Sequence, residues 1–137
     1  MDVPVTLNPS PRPQAAKLGI KPGQRVHLHH PPPGWALTDP PPGLVAAGPG
    51  GPADLIVAFF TSAADLAAEI GDLSRRIFPA GALWVAWPRR ASGHSSDITD
   101  NVIRECALPI GVVDVKVAAI DDDWSGIRLV WRTVNRG

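Results

Sequence analysis

The chain has little sulfur and no surplus of charge. A single cysteine, Cys106, stands among 137 residues, so no disulfide can close within it. Ile103, Ala107 and Ile110 surround that cysteine at helical spacing, which reads as a small core residue rather than a nucleophile. Lysine plus arginine equals aspartate plus glutamate at 13 each. That balance excludes a whole-protein electrostatic footprint for nucleic acid or an anionic membrane. No stretch approaches the roughly 20 apolar residues that span a bilayer. The amino terminus lacks the basic start and apolar run of a signal peptide, so the expected location is the cytoplasm.

What the sequence has in abundance is proline, 16 residues, and glycine, 13. Residues 1–16 carry four prolines and little apolar periodicity, and read as an extended arm. One domain is expected over 17–137. Lys21-Pro22-Gly23 is a turn leading into a first strand, Arg25 to His29, in which Val26 and Leu28 share a face. His30-Pro31-Pro32-Pro33-Gly34 and Asp39-Pro40-Pro41-Pro42-Gly43 follow. Proline lacks an amide hydrogen and clashes with the preceding turn, so this crossover is irregular, with a brief strand within Leu44 to Ala47.

Asp54 to Phe60 is a continuous apolar run, which suits a central strand buried on both faces. Ser62 and Asp65 resemble a capping box. Leu66, Ile70, Leu73 and Ile77 then recur at helical spacing, while Asp65, Glu69, Asp72, Arg75 and Arg76 point elsewhere. The helix is predicted over Ser62 to Phe78. Ala82 to Trp87 is a second buried strand, and a second helix is predicted over Asp97 to Leu108. Val113 to Ile120 and Ile127 to Arg132 read as strands joined by a loop, Asp121 to Gly126, in an antiparallel hairpin. Trp35 and Trp124 fall in loops. Alternating strands and helices imply right-handed crossovers. The fold class is therefore α/β: a Rossmann-like three-layer fold, mostly parallel, closed by an antiparallel C-terminal hairpin.

Several phrases carry a family resemblance: Leu18-Gly19-Ile20-Lys21-Pro22-Gly23, Pro32-Pro33-Gly34, Leu83-Trp84-Val85-Ala86-Trp87-Pro88-Arg89-Arg90-Ala91-Ser92-Gly93, Asp97-Ile98-Thr99, Val113-Asp114-Val115-Lys116-Val117 and Trp124-Ser125-Gly126-Ile127-Arg128. Over about residues 17 to 132 the chain resembles a set of small bacterial proteins classed as a domain of unknown function. At the level of fold it also resembles the Rossmann-like sheet of class I methyltransferases. The resemblance implies an architecture and leaves the activity open.

In an open parallel sheet, ligands bind beyond the carboxyl ends of the strands. Four loops gather there: His29 to Trp35, Thr61-Ser62, Pro88 to Asp97 and Ile120 to Gly126. The third carries Arg89, Arg90, Ser92 and Ser95, with a glycine and a helix start close behind. These are the ingredients of an anion site, and the four residues are the predicted ligand-binding set. The Asp121 to Asp123 run is a candidate partner for the arginines.

Two strand positions apart, His27 and His29 project to one face with Cβ atoms about 7 Å apart. Spacing fixes no third ligand, His30 being one candidate and Asp121 to Asp123 others only where folding brings them near, so the histidines read as solvent-facing and no metal is expected. No G-x-S-x-G elbow surrounds Ser92, Ser95 or Ser125. The glycine loop that a dinucleotide or S-adenosylmethionine needs after the first strand is replaced by H-H-P-P-P-G-W, so no cofactor is expected.

The leading expectation is a non-enzymatic binding or regulatory module for a small anion or an acidic partner surface. Two alternatives stand beside it. One is an enzyme of unknown reaction related to methyltransferases. The other is a homo-oligomer, such as a homodimer, built on an exposed final strand and Trp131. Catalysis requires a titratable group with a shifted pKa in the cleft; simple binding does not.

Overall fold

A computed structural model describes residues 14–38, 40–48, 50–89 and 95–135. Six strands form one sheet: β1 (Arg25–His29), β2 (Val45–Ala46), β3 (Leu55–Phe59), β4 (Ala82–Pro88), β5 (Val112–Ala119) and β6 (Trp124–Trp131). Their spatial order is β2-β1-β3-β4-β6-β5. The first four neighbours pair in parallel. Strand β6 is antiparallel to both β4 and β5, which leaves β5 running in the direction of β1 to β4. The mostly parallel sheet and its closing hairpin are as the sequence predicts.

Helix α1 (Gln14–Lys17) is a single turn, α2 spans Ala63–Arg76 and α3 spans Asp100–Ala107. The Ser62 hydroxyl accepts from the Asp65 amide, capping α2. Leu66, Ile70 and Leu73 are buried on one stripe of that helix. They pack with Ile103 and Ala107 of α3 against Ile56, Ala58, Leu83, Val85, Ile127 and Leu129 of the sheet. Burial of such aliphatic side chains contributes roughly 1.5–3 kcal/mol each. Gly81 follows α2 because any side chain there would meet the Asp54 carbonyl at 2.7 Å and the Ile77 carbonyl at 2.9 Å.

The opposite sheet face is covered differently. Ala15, Leu18 and Ile20 pack on Val26, Leu55, Val57, Phe59 and Trp84, with Trp35, Leu37 and Leu44 from the proline-rich crossover completing the cover. Among the described residues this face has one helical turn and irregular chain, so the three-layer expectation gives way to one helical layer, the sheet and an irregular cover. The physical reason lies in the prolines between β1 and β2, which leave no room for a crossover helix. Of the predicted arm, residues 1–13 lie outside the described residues. Residues 14–16 begin the α1 turn, where the Gln14 amide donates to the Ile120 carbonyl at 2.8 Å and Ala15 is buried.

Two boundaries also move. Helix α3 starts after an N-cap at Thr99, whose hydroxyl accepts from the Val102 amide. Asp97 instead accepts from the Ala63 amide at 2.7 Å, so it supports the start of α2. Strand β6 begins at Trp124, opposite Pro88, so Trp124, Ser125 and Gly126 are strand residues rather than loop. Strand β6 lies between β4 and β5, which corrects the expectation of an exposed final strand; the hairpin edge is β5. Trp131 is half-buried and its indole donates to the Ser74 carbonyl.

Candidate functional site

The chain reverses its direction of travel across the sheet at β1. Strand β2 is laid on one side of β1, and β3 on the other. Such a switch point opens a crevice at the carboxyl ends of the two strands. For β1 these ends are His29 and His30; for β3 they are Phe59, Phe60 and Thr61.

A cavity of about 320 Å³ sits there, lined by His30, Pro32, Phe59, Phe60, Thr61, Asp65 and Trp124. Its floor is aromatic. Phe59 meets the Trp35 ring at 4.8 Å and the Trp124 ring at 5.1 Å, both edge-on, an arrangement aromatic quadrupoles favour. The Trp35 indole donates to the Asp121 carboxylate at 2.9 Å, and that carboxylate also accepts from the Asp123 and Trp124 amides. The four loops expected at this edge do meet: Trp35 from the first touches Asp121 of the fourth, Thr61 of the second accepts from the Asp97 amide of the third, and the Arg89 amide donates to the Asp123 carbonyl.

Beside this cavity stands a cluster whose histidines the sequence offered and whose carboxylate it did not. Val26 and Leu28 of β1 face the irregular cover, so His27 and His29 face α2. Both are half-buried, not solvent-facing. His27 Nε2 lies 3.2 Å from His29 Nδ1, and His29 Nε2 lies 2.6 Å from a Glu69 carboxylate oxygen. His30 Nε2 lies 3.3 Å from the same oxygen. Burial holds the His27 imidazole below its ordinary value of 6.5, and the nearby Arg76, His29 and His30 add to that. Burial works to raise the Glu69 pKa, but the His29 hydrogen bond and the proximity of His29 and His30 outweigh it and hold the carboxyl below its usual range. In the sequence Glu69 reads as one of several outward polar residues on α2. The only signal for it is its place beside Ile70, at the edge of the apolar stripe.

The predicted anion loop is only partly in view. Arg90 and Ser92 lie outside the described residues, and Ser95 is exposed. Arg89 follows β4 and is exposed, with its guanidinium 3.5 Å from the Asp121 backbone carbonyl. It shares a cleft of about 430 Å³ with Ser96, Thr99 and Ser125, separate from the aromatic cavity. Cys106 is half-buried on α3; burial, with Glu105 beside it, pushes its thiol pKa up, which opposes reactivity.

Among the described residues no helix is long and apolar enough to cross a membrane. No family model matches the chain, and no curated protein does. Solved structures do resemble it. A LepI variant in complex with SAH and a substrate analogue is 10% identical with a TM-score of 0.53, and 86% of this chain covers 39% of that one. The LepI complex with SAM matches equally. Magnesium protoporphyrin IX methyltransferase from Synechocystis PCC 6803 with bound SAH is 12% identical with a TM-score of 0.49, over 72% of this chain. The chain spans 53% of the length of that methyltransferase and 39% of LepI. At these identities the likeness to LepI establishes an α/β, Rossmann-like fold and nothing finer.

The residues here do not fit S-adenosylmethionine in the usual manner. That ligand needs the backbone after β1 to approach it closely. Here His30 is followed by three prolines, and Trp35 is packed on Phe59 and tied to Asp121.

Proposed function

We propose that this chain is a methyltransferase-like domain that keeps the switch-point crevice and uses it for a small flat ligand bearing hydrogen-bond donors. The observation that carries this reading is the aromatic cavity beyond β1 and β3, with Asp65, His30 and Thr61 as its polar residues. Phe59 and Trp124 supply apolar ring surface, and a carboxylate at Asp65 accepts from an amine. Among the described residues no lysine or arginine lines the cavity, which disfavours an anion there and parts company with the module expected at Arg89, Arg90, Ser92 and Ser95. The fold likeness to a protein solved with SAM supports a ligand at this edge. The volume is at the low end for small-molecule pockets.

Adenosine is a suitable probe, having a flat heterocycle and an exocyclic amine. In an NMR titration of the full chain it should shift the Trp124 indole and His30 signals, with Asp65→Asn abolishing the effect. S-adenosylmethionine and NAD should not bind at micromolar concentration. Shifts confined to the Arg89–Thr99 cleft, or unaffected by Asp65→Asn, would overturn the reading.

One observation favours an enzyme as a second reading. The His29–Glu69 pair, beside the same cavity, is a histidine–carboxylate couple of the kind that transfers protons.

A further inference from the structure

We propose that His29, His30 and Glu69 form a three-donor site for a divalent transition-metal ion of the zinc type, at the carboxyl end of β1. The inference goes beyond the small-ligand reading and stands without it, because all three donors belong to the chain itself.

A strand covered on both faces is ordinarily apolar on both. Strand β1 keeps that rule toward the irregular cover and breaks it toward α2, where His27 and His29 take the apolar positions. His30, the first residue after the strand, turns back toward the same side, and the His29 and His30 rings lie 4.0 Å apart. The cause is the backbone at His30, whose φ of 54° is in the left-handed region. Non-glycine residues seldom adopt it, though histidine does so more than most, and such strain gathers at functional sites. The turn brings His30 Nε2 to the same Glu69 oxygen that His29 reaches.

The spacing fits one ion. The three donor atoms lie within 4.8 Å of one another. Zinc ligands at ~2.0–2.1 Å in tetrahedral geometry are separated by roughly 3.3 Å. The His30–Glu69 distance is already 3.3 Å, the His29–Glu69 contact of 2.6 Å has to open by less than an ångström, and the two imidazole donors, within 4.8 Å of each other, have to close by at most about 1.5 Å. Two imidazoles and a carboxylate suit zinc, and three protein donors leave a position for water or a ligand. His27 acts as a positioning residue. With His29 Nε2 on the metal, its Nδ1 carries the proton and donates to His27 Nε2, fixing tautomer and ring orientation.

The test uses the full chain without an affinity tag, freed of metal by dialysis against a chelator. Calorimetry with Zn²⁺ should give one ion per chain, and Co²⁺ should develop visible absorption bands of low-coordinate cobalt. Glu69→Gln and His29→Ala should weaken zinc binding by about 100-fold or more. His27→Gln, which leaves all three donors, should weaken it by about 10–100-fold, the range for such supporting residues. Circular dichroism checks that each variant folds. In the wild-type chain, zinc should shift the imidazole nitrogens of His29 and His30, a readout that needs no variant. Asp65→Asn should abolish the adenosine shifts and leave zinc affinity unchanged, so failure of the ligand reading and failure of the metal site are distinguishable. Absence of saturable zinc binding would overturn the site. So would an affinity unchanged by Glu69→Gln and His29→Ala, which would place the ion elsewhere, for instance on His94.

Discussion

Replacing Gly126 with alanine tests how the aromatic cavity is supported from beneath. Gly126 is the third residue of β6, opposite Ala86 of β4 and Ala118 of β5. A Cβ there would meet Ile120 Cδ1 at 2.5 Å, Ile120 Cγ1 at 2.8 Å and Trp84 Cε3 at 3.0 Å. Ordinary carbon contacts lie at about 3.5–4.0 Å, so the nearest overlap is about 1 Å. Ile120 and Trp84 are both fully buried, and the Trp84 ring is further fixed by its indole donating to the Leu18 carbonyl at 2.8 Å. Overpacking of this kind costs about 1–3 kcal/mol. The smaller entropy of the unfolded alanine chain returns about 0.4–1 kcal/mol. A net loss of about 1–2 kcal/mol follows, or roughly 3–8 °C in Tm for a domain between the sizes usually tabulated. Urea unfolding at constant slope is the assay. Ile120→Val removes the atom at 2.5 Å and alone costs about 0.5–1.5 kcal/mol. The double variant should therefore be more stable than the sum of the singles predicts, by at least about 0.5 kcal/mol. Gly126→Ala at wild-type stability, or strict additivity, would refute the packing argument. Because Ile120 precedes the turn that seats Asp121 on Trp35, the single variant should also alter tryptophan fluorescence.

Two further outcomes are expected. His27 and Glu69 both have folded pKa values below their ordinary 6.5 and 4.5, so each binds more protons unfolded than folded. In chelator, stability should be full above pH 6.5, fall as His27 is protonated against burial and against Arg76, His29 and His30, and fall again below 4.5 as Glu69 loses its hold on His29 and His30. His27→Gln should flatten the upper stretch and Glu69→Gln the lower in pH-dependent thermal melts, and unchanged profiles would contradict the assigned causes. Replacing Arg89 and Arg90 with alanine should leave Tm almost unchanged, since Arg89 is exposed and such contacts contribute only about 0–1 kcal/mol. Adenosine shifts should survive that change; their loss would move the ligand to the Arg89 cleft.

The parts of the fold legible in sequence are those where a local pattern and tertiary burial agree. The apolar run of β3 and the capped, amphipathic α2 are found where period and cap predict them. The layer over the other face was not legible, because prolines say where a helix is impossible and not where the irregular chain will pack. Trp124 shows a different limit. It reads as loop because Asp-Asp-Asp precedes it, yet pairing with Pro88 extends β6 to include it, and that pairing is settled by β4, some 36 residues earlier.

The histidine cluster was half legible. Two-residue spacing correctly places His27 and His29 on one face, but the sheet decides what that face meets. Being next to β3, β1 comes under α2, the helix that follows β3. Glu69 then arrives from 40 residues away in sequence. Its own neighbourhood on α2 gives it no distinction from Asp72, which pairs with Arg75 at the surface. The difference between them is tertiary. A carboxylate set against two imidazoles on a half-buried strand face has its charge compensated by those rings, or by an ion between them. The stretch after β1 carries His30 and three prolines, with no glycine before Gly34. A loop that presents amides to a phosphate must be free to bend toward it, whereas one that holds an imidazole against a carboxylate gains from a backbone with few alternatives. At this edge the side chains set together are two imidazoles and a carboxylate.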